Sequence, residues 1–325
     1  MKHEFKPAWW LPGAHLQTII PAIFRRKHDL PLLWQTLELN DGDFLDLAWI
    51  GIGNGPIVLV LHGLNGSINS GYANGIMHAI NKRGWRGVLM HFRGCSGKPN
   101  RLARSYHSGE TGDLNNVIKV IRDSEPTTPL FAVGYSLGGN VLLKALGEGK
   151  NTAQLSAAVA VSVPFELAET AEHLSKGFRK VYQHRLVKEL KKSHKNKFSQ
   201  MPLPVKPANL AAIKTFWEFD NAITGPLHGF KGADDYYQLS SSRQYLDKIE
   251  VPTLILHARN DPFTKLNSLP DQSEVSNAVT IEYTAAGGHV GFVSGIFPWK
   301  PIYWLEDRIL NYFAEILTFE SSKSR

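Results

Sequence analysis

Six short runs constrain the fold of this chain more than any other feature: IVLVLH (57–62), GVLMHF (87–92), LFAVGY (130–135), AAVAVSV (157–163), TLILHA (253–258) and VTIEYT (279–284). They are rich in β-branched residues and almost continuously apolar, rather than alternating apolar with polar. A strand of that kind is buried on both faces, as in a parallel sheet. Parallel neighbours need long crossovers, and helix-length amphipathic segments such as YANGIMHAINKRG, LNNVIKVIRDS and NVLLKALGEG lie between most of the runs. The pattern predicts an α/β fold with a mostly parallel, doubly wound sheet. Ahead of it, LLWQTLELN and FLDLAWIG alternate around the turn DGD, so an N-terminal hairpin is expected. A last helix is expected over PIYWLEDRILNYFAEILTFE.

One interval breaks the alternation. Residues 165–246 hold no convincing buried strand and read as a helical cap inserted between two sheet strands of a single domain spanning 1–325. Within it, Phe178, Val181, Tyr182, Leu186 and Leu190 recur at spacings of three and four, which predicts an amphipathic helix. Between Lys176 and Lys197 basic residues outnumber acidic ones nine to one, and they are expected on the outer face of that helix. A solvated face is the plain reading of such a run, and a lid that meets anionic lipid or an acidic ligand is the sharper one. The aromatic-rich leader, residues 1–30, is expected to pack on the core, with Trp9 and Trp10 either on the sheet or lining a pocket.

The run LFAVGY ends in the pentapeptide GYSLG (134–138), directly before a helical pattern. GxSxG at a strand-to-helix turn is a nucleophile elbow, in which a sharp turn lifts a serine hydroxyl above the sheet. Ser136 is the candidate nucleophile. Gly134 and Gly138 meet the need for residues without a Cβ, and Gly139 adds slack. A serine needs a histidine base and a carboxylate to orient it. Downstream, TLILHA runs into RNDPF and VTIEYT runs into AAGGHVGF, which puts Asp261 and His289 in loops at the carboxyl ends of adjacent strands, where active sites of open α/β sheets collect. His62, His91 and His107 precede the serine and break the order Ser, Asp, His; His257 lies inside a strand and reads as a core histidine. Acyl transfer also needs two N–H donors for the oxyanion. Leu137, after the nucleophile, and Leu64, after the HG of HGLNGS (62–67), are the candidates.

The segments GYSLGGN, LHGLNGS, HFRGCSG, ARNDPF and GGHVGF, with the longer WWLPGAHLQTIIP and EFDNAITGPLHGFKGADDYYQLSS, resemble the α/β-hydrolase superfamily and within it the AB hydrolase 4 family. The resemblance spans nearly the whole chain. It implies an α/β-hydrolase fold and a serine hydrolase acting on carboxylic esters through an acyl-enzyme, with Ser136, Asp261 and His289 as the triad. An acyltransferase or thioesterase with the same triad, and a non-catalytic lipid- or partner-binding version of the fold, are the alternatives. Some relatives carry an HxxxxD acyltransferase pattern; here His107 and Asp113 stand one residue too far apart for it.

No cofactor or metal is expected. HFRGCSGKP is too short for a phosphate-binding P-loop, GIGNG precedes a strand rather than a helix, and there is no HExxH. The single cysteine, Cys95, rules out an internal disulfide and reads as a small loop residue. A chain of 325 residues with 43% hydrophobic and 20% charged composition is of the ordinary globular kind. Its net charge of +7 comes largely from the one basic segment, and no nucleic-acid module accompanies it. No stretch approaches the roughly 20 apolar residues of a membrane span, and no secretory signal is evident. The expectation is a cytoplasmic enzyme taking a small acyl ester, without nucleic acid and without a transmembrane segment.

Overall fold

The computed structural model describes residues 4–199, 201–202 and 209–323. Residues 1–3 of the leader, residues 200 and 203–208 of the inserted segment, and 324–325 lie outside the described part.

The six runs form strands β3 (Ile57–Leu61), β4 (Arg86–Met90), β5 (Leu130–Tyr135), β6 (Ala157–Val161), β7 (Thr253–Ala258) and β8 (Val279–Thr284), preceded by the hairpin β1 (Leu33–Glu38) and β2 (Phe44–Ile50). Together they make one eight-stranded sheet in the order β1-β2-β4-β3-β5-β6-β7-β8, antiparallel at β1/β2 and β2/β4 and parallel elsewhere. This is the α/β-hydrolase fold. The side-chain period of two sends Ile57, Leu59 and Leu61 of β3 into one apolar layer and Val58 and Val60 into the other. The first layer meets α3 (Gly112–Ser124) and α4 (Leu137–Glu148); the second meets α2 (Gly71–Lys82) and α10 (Trp304–Lys323). Double-sided burial is what the continuous apolarity of β3 to β7 demanded. β8 departs from it: at the sheet edge its residues after Val279 are only partly buried, with Glu282 paired to Arg308. The last helix also starts later than expected, at Trp304, because Ile302 and Tyr303 form strand β10 against β9 (Val293–Ser294).

Between β6 and β7 run α5 (Leu167–Leu174), α6 (Lys180–Phe198), α7 (Phe216–Phe219), a π-helical turn over Asp220–Thr224, α8 (Gly225–Leu227) and α9 (Ala233–Ser240). The inward face of α6 differs from the one read from spacing. Tyr182 and Val187 are buried as core, but Phe178 and Val181 are exposed, and Phe178 sits in a short turn ahead of the helix. Lys197 is not on the outer face either: its buried ammonium donates to Asn100 Oδ1 (2.7 Å), the Arg104 carbonyl and Ser105 Oγ (3.1 Å). Burial pulls its pKa down to about 8.

The leader contributes α1 (Gly13–Phe24), a helix that its sequence pattern does not signal. Trp9 and Trp10 do not join the apolar layers of the eight-stranded sheet: their indole N–H groups donate to the carbonyls of Ile296 and Gly295 (2.9 and 3.1 Å), and Trp10 packs with Ala8, Leu11 and Val293.

Arg93, from HFRGCSG, ties the hairpin to the core. Its guanidinium donates to both carboxylate oxygens of Asp113 (2.6 and 2.7 Å), to Asp41 (2.8 Å) and to Asp43 (3.0 Å), with the side chain almost fully buried. Removing one member of such a network strands the others without compensation. Arg93→Ala is therefore expected to destabilise the protein by about 3–5 kcal/mol, measured as a lower midpoint of urea unfolding.

Candidate active site

β5 ends at Tyr135 and α4 begins at Leu137, which leaves the single residue Ser136 to reverse the chain. Its backbone is held at φ 52° and ψ −118°, with its N–H donating to the Val161 carbonyl (2.8 Å). The turn closes only because its neighbours lack side chains. A Cβ on Gly134 would stand 2.4 Å from the Gly138 carbonyl oxygen, and one on Gly138 would stand 2.5 Å from the His62 carbonyl oxygen. Gly139 does more than add slack, since a Cβ there would meet Val163 at 2.7 Å.

The loops after β7 and β8 bring their residues to the same place. His289 Nε2 lies 3.0 Å from Ser136 Oγ, and His289 Nδ1 lies 2.8 Å from Asp261 Oδ2. The three residues singled out from the sequence are thus brought together. Burial pushes the Asp261 carboxyl up, but the imidazole of His289, then that of His257, and the Phe263 N–H (2.8 Å) more than offset this and hold it below its ordinary value. His257 is the core histidine expected: fully buried, its Nδ1 is 3.0 Å from the Ala258 carbonyl oxygen, and its Nε2 stands 3.8 Å from Asp261 Oδ2. Burial lowers its pKa.

The loop of HGLNGS passes beside the serine, with Gly63 so close that an added Cβ would touch Ser136 Cβ at 3.4 Å. His62 supports the loop from beneath, its Nδ1 2.7 Å from the Gly63 carbonyl oxygen and its Nε2 accepting the Phe92 N–H (3.2 Å). Burial drops its pKa to about 3, so it is a neutral strut. Tyr72 and Tyr106 take the N–H groups of Gly63 and Asn65 (2.7 and 2.8 Å). The N–H of Leu64 between them, and that of Leu137 at the start of α4, have no partner among the described residues.

Two cavities meet at Ser136, Leu64 and Phe263. One, of about 540 Å³, runs beneath the helices between β6 and β7, past Leu167, Leu174, Leu190, Phe216 and Ile223. The other, of about 640 Å³, opens between α1, α2 and α6 past Ile23, Ser70, Val181 and Arg185. Phe216 of the inserted segment lines the first cavity. Phe165 is core, Phe178 and Trp217 are exposed, and Phe230 packs on Tyr236. Asp220 reaches the same cavity while accepting from Thr224 (2.6 Å) and Tyr237 (2.7 Å), and burial raises its pKa to about 6. Cys95 also lines it, with its thiol pushed up to about 12 by burial and thus far from a thiolate. His107 and Asp113 are not assembled into a pair: Asp113 is spent on Arg93, and the His107 ring lies among His228, Phe230 and Tyr236.

A family model described as an alpha/beta hydrolase fold matches residues 56–295. The chain belongs to the α/β-hydrolase family. Over 98% of its length the hydrolase is 43% identical to the "Putative esterase YheT" of Escherichia coli (strain K12), covering 95% of that protein. It is 27% identical to the "Phospholipase ABHD3" of Mus musculus over 96% of this chain and 78% of that one. Among solved structures, the Pyrococcus furiosus esterase Pf2001 superposes with a TM-score of 0.56 at 18% identity, over 89% of this chain and 91% of that one.

Three supports of the site, Gln17, Thr18 and Ser162, lie far along the chain from what they hold and belong to no local motif of the site, while a fourth, Phe263, ends the RNDPF segment. Thr18 Oγ1 accepts the His289 N–H (2.9 Å), and Gln17, buried in α1, brackets Val293 by accepting its N–H (2.8 Å) and donating to its carbonyl (3.0 Å). Ser162 Oγ, beyond β6, accepts the Val290 N–H (3.0 Å). Phe263 lies parallel on the His289 ring with centroids 3.9 Å apart. The one sequence cue is the adjacent polar pair Gln17 and Thr18, which with His15 interrupts the apolar pattern of the helix. Thr18→Val keeps the shape and removes the acceptor, leaving the His289 N–H unpaired. The hydrolase should lose about 1–3 kcal/mol of stability, read as a lowered Tm.

Proposed function

We propose that the hydrolase cleaves carboxylic esters through an acyl-enzyme carried on Ser136. The observation that supports this most is the single imidazole of His289 within hydrogen-bond reach of Ser136 on one nitrogen and Asp261 on the other. Ser136 Oγ attacks the acyl carbon while His289 Nε2 takes its proton. Asp261 keeps the Nδ1 proton in place and stabilises the imidazolium as it forms. The N–H groups of Leu64 and Leu137 receive the oxyanion. Collapse of the tetrahedral intermediate expels the alcohol, protonated by His289. Water, deprotonated by the same nitrogen, then releases the acid and restores the serine.

In this reading residues 165–246 are the cap of a single domain and residues 1–30 a leader packed on its core. The apolar cavity under the cap takes the acyl chain, and the cavity towards α1 and α2 takes the alcohol. The 43% identity to the "Putative esterase YheT" supports the same reaction class. Water rather than another acceptor completes the cycle in this scheme, and no cofactor enters it.

With purified protein and p-nitrophenyl esters of graded chain length, Ser136→Ala and His289→Ala should each lower kcat by a factor on the order of 10⁶, and Asp261→Asn by about 10⁴. A fluorophosphonate should label the parent protein and not Ser136→Ala. Unchanged turnover by Ser136→Ala would exclude the scheme.

A further inference from the structure

Helix α1 is amphipathic in the wrong sense for a helix whose outer face meets only water. Its buried residues are Gln17, Thr18 and Pro21, while Leu16, Ile23 and Phe24 point outwards, with Phe24 72% exposed. The inward polar pair is accounted for by its hydrogen bonds to the His289 loop. Ile23 borders the cavity between α1, α2 and α6, and among the described residues Leu16, Ile23 and Phe24 belong to none of the buried apolar clusters.

They do not stand alone. Gln17 holds Val293 of the β9–β10 hairpin, whose tip carries Phe297 stacked on Trp299 at 5.0 Å, with Trp299 80% exposed. Trp9, 73% exposed, donates to the Ile296 carbonyl of the same tip. On the other side His15 of α1 meets Phe178, and Val181 follows on the first turn of α6, both exposed. Leader, α1, hairpin tip and the start of α6 are thus neighbouring elements that each present large apolar side chains outwards. Large apolar side chains exposed on neighbouring elements mark a candidate interaction surface.

Two further observations decide what meets it. Cations border the apolar residues of α1, of α6 and of the hairpin tip: Arg26 and Lys27 after α1, Lys180 and Arg185 on α6, the latter paired with Glu189, and Lys300 at the tip. The mouth of the 640 Å³ cavity that reaches Ser136 and His289 also lies within this face, between Ile23 and Lys27 on one side and Val181 and Arg185 on the other. Exposed tryptophan and phenylalanine with flanking lysine and arginine are the composition of a surface that settles into the headgroup boundary of an anionic bilayer. A second copy of the chain on this face would confront like charges and cover the mouth. Among the described residues no helix is long and apolar enough to cross a membrane.

We propose that this face adsorbs to the surface of anionic lipid bilayers, Phe24, Trp9 and Trp299 entering the headgroup region and the bordering cations contacting lipid phosphates. The proposal stands independently of the catalytic reading. If that reading holds, the cavity mouth faces the phase in which acyl esters of low water solubility are dissolved.

The test is co-sedimentation of the full chain with vesicles of phosphatidylcholine alone and of phosphatidylcholine mixed with phosphatidylglycerol, with turnover of a water-soluble p-nitrophenyl ester measured on the same samples. The parent should sediment with the mixed vesicles, bind neutral ones more weakly, and detach as salt is raised. Phe24→Ser/Trp299→Ser should lower partitioning by roughly tenfold or more, and Phe24→Leu much less, with soluble-ester turnover unchanged in both. Arg26→Glu/Lys300→Glu should abolish the preference for anionic vesicles. Failure of the parent to bind either vesicle, or equal binding by Phe24→Ser/Trp299→Ser, would overturn the proposal while leaving the esterase reading untouched. A concentration-dependent dimer that Phe24→Ser/Trp299→Ser dissolves would also overturn it, assigning the face to self-association. Loss of ester turnover by Ser136→Ala bears only on catalysis.

Discussion

The sharp turn at Ser136 is the constraint on which the rest of the site depends. It places one residue between a parallel strand and a helix, and it closes only where Gly134 and Gly138 let backbone meet backbone and Gly139 leaves room for the Val163 side chain. Such a turn costs backbone strain, and a neighbourhood that over-determines it keeps it in place. Here β3 and β6 flank β5 along its whole length, and the Val161 carbonyl fixes the serine N–H. Because the sheet is parallel, the turn, the loop after β3 and the loops after β7 and β8 all emerge at the same edge. Convergence of Ser136, Leu64, Asp261 and His289 follows from the strand order rather than from any local feature.

That explains what could be read from the sequence and what could not. Continuous apolar runs identify doubly buried strands, so β3 to β7 were legible. β8 shared the β-branched composition but sits at the edge, and composition does not report which strand has a neighbour on both sides. GYSLG, RNDPF and GGHVGF were legible because local chemistry sets each of them: a turn without room for a Cβ, or a loop at a strand end. Gln17, Thr18 and Ser162 were not, because what they do is specified by loops that meet them only in three dimensions. The inserted segment was harder still. Its helices pack on one another as well as on the core, so spacing alone put Phe178 and Val181 on the wrong side and left Lys197 outside.

Polar residues inside an apolar helix are the more instructive case. Taken as sequence, Gln17 and Thr18 weaken an apolar pattern without replacing it. In the fold they define which side of α1 faces inwards, because the half-buried backbone N–H of His289 and the buried backbone groups of Val293 must be satisfied. The helix is oriented by hydrogen bonding, and the hydrophobic face is left to the outside.

One consequence couples the surface to the chemistry. The residues that hold the His289 loop and the residues that point outwards alternate along a single helix of twelve residues. A rigid element of that length cannot shift at its outer face without moving its inner one, and 3.0 Å between His289 Nε2 and Ser136 Oγ leaves little tolerance, since misplacement by about 1 Å costs orders of magnitude in rate. Adsorption through α1 therefore presses on the same helix that positions the proposed base. Arg25, paired with the buried Glu306 of α10 and lying 3.7 Å over the Tyr303 ring, anchors the C-terminal end of α1 to the core. The bracket from Gln17 to Val293 anchors its middle, and between them these contacts let an exposed apolar helix bear on a surface without loosening the site behind it.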